Sequence, residues 1–296
     1  MNEALQGEEI LRQLAQLREQ VASLDAAVRD VRQLVGPFGV RLGEDQLLVQ
    51  TLYGTKYLVD PHDLIMTPQL VVYRQWEADL SRFLASRVRP DLQFVDIGAN
   101  FGYFTCLLGA GIGAGGSGRI YAVEPNPKLL KLLRANVTIN WSMCPVAIEP
   151  VALGAAPGVV QLCVPADRAA NGSLTRSGDA ADAVVDVPMK RLDDVVPAGT
   201  AIDLIKLDVE GHEYGVLAGA RRVIAESPRL EIVMEWSATQ MRDAGYGLPA
   251  MLELIDALGL RIARIPQQPE AGAPEPYPLA QLGPGSYDNV LLVKKS

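Results

Sequence analysis

From Gln93 to the end of the chain, short apolar runs alternate with amphipathic stretches, and this alternation restricts the fold more than any other feature. Seven runs read as strands: Gln93–Ile97, Arg119–Val123, Val146–Val151, Ala201–Leu207, Leu230–Met234, Leu260–Ile265 and Asn289–Val293. Helical patterns beginning at Tyr103 and covering Lys128–Asn136 and Pro249–Leu258 fall between them. A chain with this rhythm builds an α/β fold, a mostly parallel seven-stranded sheet with helices on both faces. The segment Pro266–Gly285 holds six prolines and reads as a long loop.

Two further regions precede the sheet, giving an expected division at 1–36, 37–90 and 91–296. In the first, Leu14, Val21, Val28 and Val35 fall at heptad position a, and Ile10, Leu17, Leu24 and Val31 at d. That stripe predicts a coiled-coil helix ending at Gly36-Pro37, and a homo-oligomer joined through residues 10–35. Three β-branched a positions and two Leu at d favour a dimer, while the wide apolar face keeps a trimer as the alternative. In the second region Leu47–Leu52 and Lys56–Val59 flank Tyr53-Gly54-Thr55, a hairpin pattern. A helix over Gln69–Ser86 follows, whose Tyr73, Trp76 and Glu77 could close over a bound ligand, with packing the safer reading.

The net charge of −8 opposes a nucleic-acid substrate, which would need a basic surface. The three cysteines form neither a disulfide framework nor a metal motif, which suits a reducing, cytoplasmic setting. The uncharged stretch Ile97–Gly118 is long enough to span a membrane, but its eight glycines read as a loop and a buried helix.

Chemistry concentrates where strands end. In Val95-Asp96-Ile97-Gly98-Ala99-Asn100-Phe101-Gly102, glycines follow the first strand and let backbone amides approach a ligand. Glu124 ends the second strand, where a carboxylate can accept hydrogen bonds from both hydroxyls of a ribose. Asp208-Val209-Glu210-Gly211-His212-Glu213 sets three carboxylates and one of only two histidines at the end of the fourth strand. His212 is the leading general base, because imidazole titrates near neutrality. Asp208 and Glu235 are expected to share that role or orient the substrate, with Glu210 and Glu213 as secondary groups. A divalent metal on Asp208, Glu210 and His212 is an alternative the spacing does not favour, and no metal ligand is assigned. Gly111, Gly113 and Gly116 satisfy a dinucleotide fingerprint, but they follow a helix instead of a strand. An NAD(P) oxidoreductase is thereby demoted.

The turn after the first strand, together with Val123-Glu124-Pro125-Asn126-Pro127, resembles that of the class I methyltransferases. The FkbM family is matched more closely, through Ala135-Asn136-Val137, Asn171-Gly172-Ser173-Leu174, Leu192-Asp193-Asp194 and, above all, Ile202-Asp203-Leu204-Ile205-Lys206-Leu207-Asp208-Val209-Glu210-Gly211-His212-Glu213. The resemblance implies a Rossmann-like domain and S-adenosyl-L-methionine as cofactor, with S-adenosyl-L-homocysteine as product. It places the cofactor on Asp96, Gly98, Asn100, Phe101, Gly102, Glu124, Pro125, Ala152, Leu153 and Asp208. It also implies a small-molecule or glycan acceptor, with a methyl group passing to a hydroxyl of a sugar, glycoconjugate or related natural product. A polyketide alcohol and a non-catalytic cofactor-binding role are the alternatives.

Overall fold

The computed structural model describes residues 2–34, 39–164, 183–266 and 274–295. Residues 171–174 of the family motif, Val35 of the heptad, the Gly36-Pro37 helix stop and part of the proline-rich loop lie outside these.

The central sheet uses seven strands: β1 (Gln93–Ile97), β2 (Arg119–Val123), β3 (Val146–Glu149), β4 (Leu204–Leu207), β5 (Glu231–Ser237), β6 (Leu260–Ala263) and β7 (Tyr287–Lys294). Their order is β6-β7-β5-β4-β1-β2-β3. All neighbours are parallel except β7, which runs antiparallel to both β5 and β6. The chain winds outward from β1 to β3 and then restarts at β4 on the other side of β1, so the order reverses between β1 and β4. A crevice opens at the strand ends there, the place where open α/β sheets bind ligands.

Alternation along each strand feeds two cores. Val95, Ile97, Tyr121 and Val123 join the apolar cluster on one face, with Trp236 and Met251, while Phe94, Ile120 and Ala122 join the other, with Tyr103 and Leu108. Each fully buried Leu, Val or Phe contributes about 1.5–3 kcal/mol, so the period-two pattern itself fixes which face each strand presents.

Three features differ from the sequence expectation. The helix expected over Gln69–Ser86 is two helices, Met66–Tyr73 and Ala78–Ser86, separated by left-handed Arg74 and Glu77. Neither residue is glycine, so propensity gives no warning of the break. A third strand, Gly39–Arg41, joins the hairpin of Leu47–Gln50 and Lys56–Val59. Between β3 and β4 the chain forms a small separate sheet from Ala152–Leu153, Gly158–Val164 and Ala183–Lys190.

The hairpin is held to the sheet domain through the helix Pro127–Ile139. The Asn136 side chain accepts from Leu58 N–H (2.6 Å) and donates to the carbonyls of Leu58 (3.1 Å) and Phe101 (2.8 Å). By contrast, the helix Asn2–Leu34 leaves its heptad stripe in solvent, with Ile10, Leu14, Leu17, Val21, Leu24, Val28 and Val31 between 43% and 70% exposed. No described helix is long and apolar enough to cross a membrane.

Candidate active site

The turn after β1 is tightly closed. Gly98 N–H and Ala99 N–H both donate to the Val123 carbonyl at 3.0 Å, tying the turn to the end of β2. Gly98 has φ +74°, and a Cβ there would lie 1.9 Å from the Asp208 carbonyl oxygen. Only glycine lets the ends of β1 and β4 close this tightly. Asn100, also left-handed at φ 55°, follows.

Glu124 is buried at the end of β2, and each of its oxygens is committed to the backbone. Oε2 accepts from Asn100 N–H and Oε1 from Asn126 N–H, both at 2.8 Å. Burial pushes its carboxyl up to about 7 against these two hydrogen bonds. Each oxygen retains a lone pair for a further donor.

Above the β1–β4 crevice lies a cavity of 220 Å³. Gly98, Asn100, Glu124 and Pro125 form one side, and Ala152 and Leu153 with Val151, Leu129 and Leu162 supply an apolar wall. Asp208, Glu210 and Glu235 also line it, with Lys206, Glu77, Trp76 and Tyr287. Nine of the residues singled out from the sequence therefore meet around one cavity: Gly98, Asn100, Glu124, Pro125, Ala152, Leu153, Asp208, Glu210 and Glu235.

Five others do not line it. Asp96 is fully buried behind the turn, accepting from Thr105 Oγ1 at 2.6 Å. Phe101 packs its ring edge-on to Tyr57, and a Cβ at Gly102 would meet Leu133 Cδ1 at 2.5 Å, so both residues serve packing against neighbouring elements. Glu213 turns inward and accepts from Val209 N–H (3.1 Å) and Gly211 N–H (3.2 Å), which folds the loop after β4. His212 caps the helix Glu213–Ala218, its ring against Tyr246 and so near Gly215 that a Cβ there would lie 2.6 Å from Nε2. Burial holds its imidazole below the usual range. The expected leading base therefore faces a packed interface instead of the cavity. The decoy glycines Gly111 and Gly116 also lie elsewhere, where a Cβ would meet Val88 and Pro90.

The residue that the chemical reading overlooked is Lys206. It sits within β4, 2.9 Å from Asp208 Oδ2, with its ammonium 5.3 Å from the Phe104 ring centroid. Burial alone would discharge it, but Asp208, Asp96 and Glu77 outweigh that effect and push its pKa up. One cation thus supports a ring of carboxylates. Where that support thins, the acids hold their protons more tightly. Burial, with Asp208 nearby, pushes Glu210 up to about 7, and the same causes raise Glu235 to about 9. Glu235 also accepts from Tyr287 Oη at 2.5 Å, and the Gln240 amide donates to Glu210.

Backbone strain marks the same place. Among the described residues four non-glycines have positive φ, and three of them, Glu77, Asn100 and Glu210, line this cavity. Such residues gather where function over-determines the backbone. The site fits a nucleoside-bearing cofactor: a fixed carboxylate for paired hydroxyls, a flat apolar wall for a base, and a close-approach turn between them. Among the described residues no three His, Cys, Asp or Glu side chains are grouped to hold a metal.

Comparison with known proteins identifies the family. The model of the methyltransferase FkbM domain matches residues 96–262, more than half of the chain. The chain is 28% identical over 200 residues to methyltransferase sdnD of Sordaria araneosa, covering 57% of this chain and 74% of that protein. It is 27% identical over 146 residues to the hexuronic acid methyltransferase AglP of Haloferax volcanii, covering 48% of this chain and 56% of the relative. Among solved structures, TYW2 of Pyrococcus horikoshii in complex with MeSAdo is similar with a TM-score of 0.47 at 16% identity, over 86% of this chain and 73% of that one.

Proposed function

Since the chain belongs to the FkbM methyltransferase family, we propose that it transfers a methyl group from S-adenosylmethionine to a hydroxyl of a sugar or glycoconjugate. The observation that carries this reading is one 220 Å³ cavity lined both by Glu124 and the glycine turn and by Asp208, Glu210 and Glu235. The similarity to a hexuronic acid methyltransferase supports a sugar acceptor.

When bound, S-adenosylmethionine supplies an electrophilic methyl on its sulfonium. The protein's own residues then have three tasks. Glu124 holds the ribose hydroxyls while the turn at Gly98–Asn100 admits the remainder of the cofactor. Lys206 would hold the Asp208 carboxylate in place through their 2.9 Å ion pair, so that Asp208 can orient the acceptor hydroxyl. Glu210, whose pKa of about 7 suits a base at neutral pH, would take the hydroxyl proton as the oxygen–carbon bond forms and the carbon–sulfur bond breaks, leaving S-adenosylhomocysteine. At about 9, Glu235 carries a proton at neutral pH and donates to the acceptor. His212, read from sequence as the base, is assigned a structural role here because it lies outside the lining.

Incubation with methyl-labelled S-adenosylmethionine and a panel of glycosylated acceptors tests this reading. Label should enter an alkali-stable methyl ether. Tight NAD(P) binding with no S-adenosylmethionine binding, measured by calorimetry, would overturn it.

The exposed heptad stripe is assigned to a second copy of the same chain, in a parallel two-stranded coil. Light scattering should give a dimer for the full chain and a monomer without residues 1–36. A full-length chain that stays monomeric at micromolar concentration refutes the coil.

A further inference from the structure

Beyond the cofactor cavity, a second and more open cavity of 420 Å³ lies at the β6–β7 side of the sheet. Its walls come from the start of the helix Ala78–Ser86, the end of β6 and the first residues of β7, and include Asp79, Arg264, Tyr277, Asp288 and Asn289. One residue lines both cavities, and that residue is Glu77.

Glu77 is unusual in two independent ways. Its backbone is left-handed, at φ 41°, a conformation that costs a residue with a Cβ about 1 kcal/mol or more. Its Oε2 is buried and, among the described residues, has no hydrogen-bond partner. A strained residue with an unsatisfied oxygen is costly to the free protein, and a ligand hydroxyl would relieve that cost.

The second cavity has the chemistry of a sugar site. Asp288, which accepts from the Tyr277 hydroxyl and from Asn289 N–H, keeps lone pairs for hydroxyl groups, while the Asn289 side chain reaches Glu77. Arg264 stacks on the Tyr277 ring, 4.9 Å from its centroid, and donates to Gln281 at 2.9 Å. Arg264 is exposed, and beyond the Gln281 contact its guanidinium has further donors for a sugar oxygen or a uronate carboxylate. The loop between β6 and β7 holds this wall, with Arg264 N–H on the Glu275 carbonyl (2.8 Å) and Tyr277 N–H on the Ile262 carbonyl (3.1 Å).

We propose that this second cavity is the acceptor subsite: it takes the sugar ring to be methylated, and Glu77 receives the ring's hydroxyl at the boundary with the cofactor cavity. The proposal rests on the hydroxyl-methylation reading above and adds where the acceptor lies and which residues select it. Glu77 would then be a residue that touches substrate, supplied by the segment ahead of the sheet domain. Separate cavities meeting at one side chain let a bulky glycan dock in an open groove while one hydroxyl reaches the enclosed donor.

The test uses the full chain saturated with S-adenosylhomocysteine and two probes, a methyl hexoside and a methyl hexuronoside. Binding is followed by saturation-transfer NMR and turnover with labelled S-adenosylmethionine. Ala78→Trp fills the groove, while Arg264→Ala and Asp288→Ala remove polar contacts at exposed positions that folding tolerates. Each variant should weaken probe binding, and raise the acceptor KM where there is turnover, by roughly tenfold or more. Affinity for S-adenosylhomocysteine should stay within about twofold, which also certifies the fold. If the wild type methylates a probe and all three variants keep its KM, the subsite is refuted while the O-methylation reading stands. If the probes bind, the variants abolish binding and no methyl is transferred, the cavity is a sugar site but not an acceptor subsite, and the methylation reading falls with it. If neither probe binds or reacts with the wild type, both are overturned.

Discussion

The two sides of the cofactor cavity are built on different principles. On the donor side, function rests on backbone: the Gly98 turn is hydrogen-bonded to Val123, and both Glu124 oxygens are held by main-chain amides at 2.8 Å. On the acceptor side it rests on side chains. Glu210 is held by the Gln240 amide and Glu235 by the Tyr287 hydroxyl, and buried oxygens of Glu77 and Glu235 have no partner among the described residues. The donor side is finished before anything binds. The acceptor side stores unsatisfied charge and protons, which a reaction requires and a binding cradle does not.

Gly98→Ala should break this contrast most severely, because that residue belongs to both sides. The added methyl would strike the Asp208 carbonyl, placed at 1.9 Å with φ +74°, so β1 and β4 would be forced apart. A loss of about 3–5 kcal/mol in unfolding free energy is expected, together with loss of measurable cofactor binding. Calorimetry and denaturant titration check both; a variant that folds and binds normally would mean the strand ends relax freely. Glu210→Gln should separate the sides instead. It keeps the shape and the Gln240 contact but removes the proton acceptor, so kcat should fall by roughly 10²–10⁴. Cofactor affinity should change little, and a large affinity loss would put Glu210 on the donor side.

Glu124→Ala should give the converse result. Charged hydrogen bonds contribute about 1.5–3 kcal/mol each, so cofactor affinity should fall by roughly 10- to 100-fold. Acceptor KM should hold, and a parallel rise in it would show that the two sides are not independent.

The donor side was legible because it is local. Gly98, Asn100, Glu124 and Pro125 are strand-end residues in two short motifs, and their chemistry follows from strand position alone. Ala152 and Leu153 also fall at the cavity, although the small sheet that carries them has no clear pattern in sequence. The acceptor side was partly legible. Asp208 and Glu210 follow the end of β4, but Glu235 lies inside β5, which runs on past its apolar run to Ser237, and Lys206 lines the site from within an apolar strand, where a lysine looks like an interruption. Glu77 reads as mid-helix until the backbone reverses there, and Tyr287 comes from the far end of the chain. His212 invites a catalytic reading for the opposite reason. A rare titratable residue in an acidic run draws attention, while its packing partners Gly154, Gly215 and Tyr246 are invisible to local inspection.

The stored protons make pH a further probe of the contrast. Burial raises Glu124, Glu210 and Glu213 to about 7 and Glu235 to about 9. The folded protein therefore holds protons that the unfolded chain has released above its ordinary carboxylate range, near ~4.3. That stability is fully present below the unfolded value and is lost as pH rises through about 7 and then about 9. Thermal denaturation should give a lower Tm at pH 9 than at pH 6. Activity should move the other way over its lower limb, with kcat rising through about 7 as Glu210 ionises. Glu210→Gln should remove that limb, and a limb that survives unchanged assigns the base elsewhere.

The smallest effect is expected at His212. Its ring fills space between the small sheet at Gly154 and the helix Glu213–Ala218, where a Cβ at Gly215 would lie 2.6 Å from Nε2. Burial lowers its pKa, so at neutral pH it is an uncharged, packed ring. His212→Ala should therefore open a void and cost about 1–3 kcal/mol of stability, as other large-to-small changes do. The loop Asp208–Gly211 should keep its shape, because Glu213 holds it through Val209 and Gly211 N–H. With that loop in place, kcat below the melting range should stay within about threefold of the wild type, since a base that does not reach the acceptor contributes no proton transfer. A fall of roughly a hundredfold in kcat, with Tm and cofactor affinity unchanged, would return the proton to His212 and make the acceptor enter from the Tyr246 side.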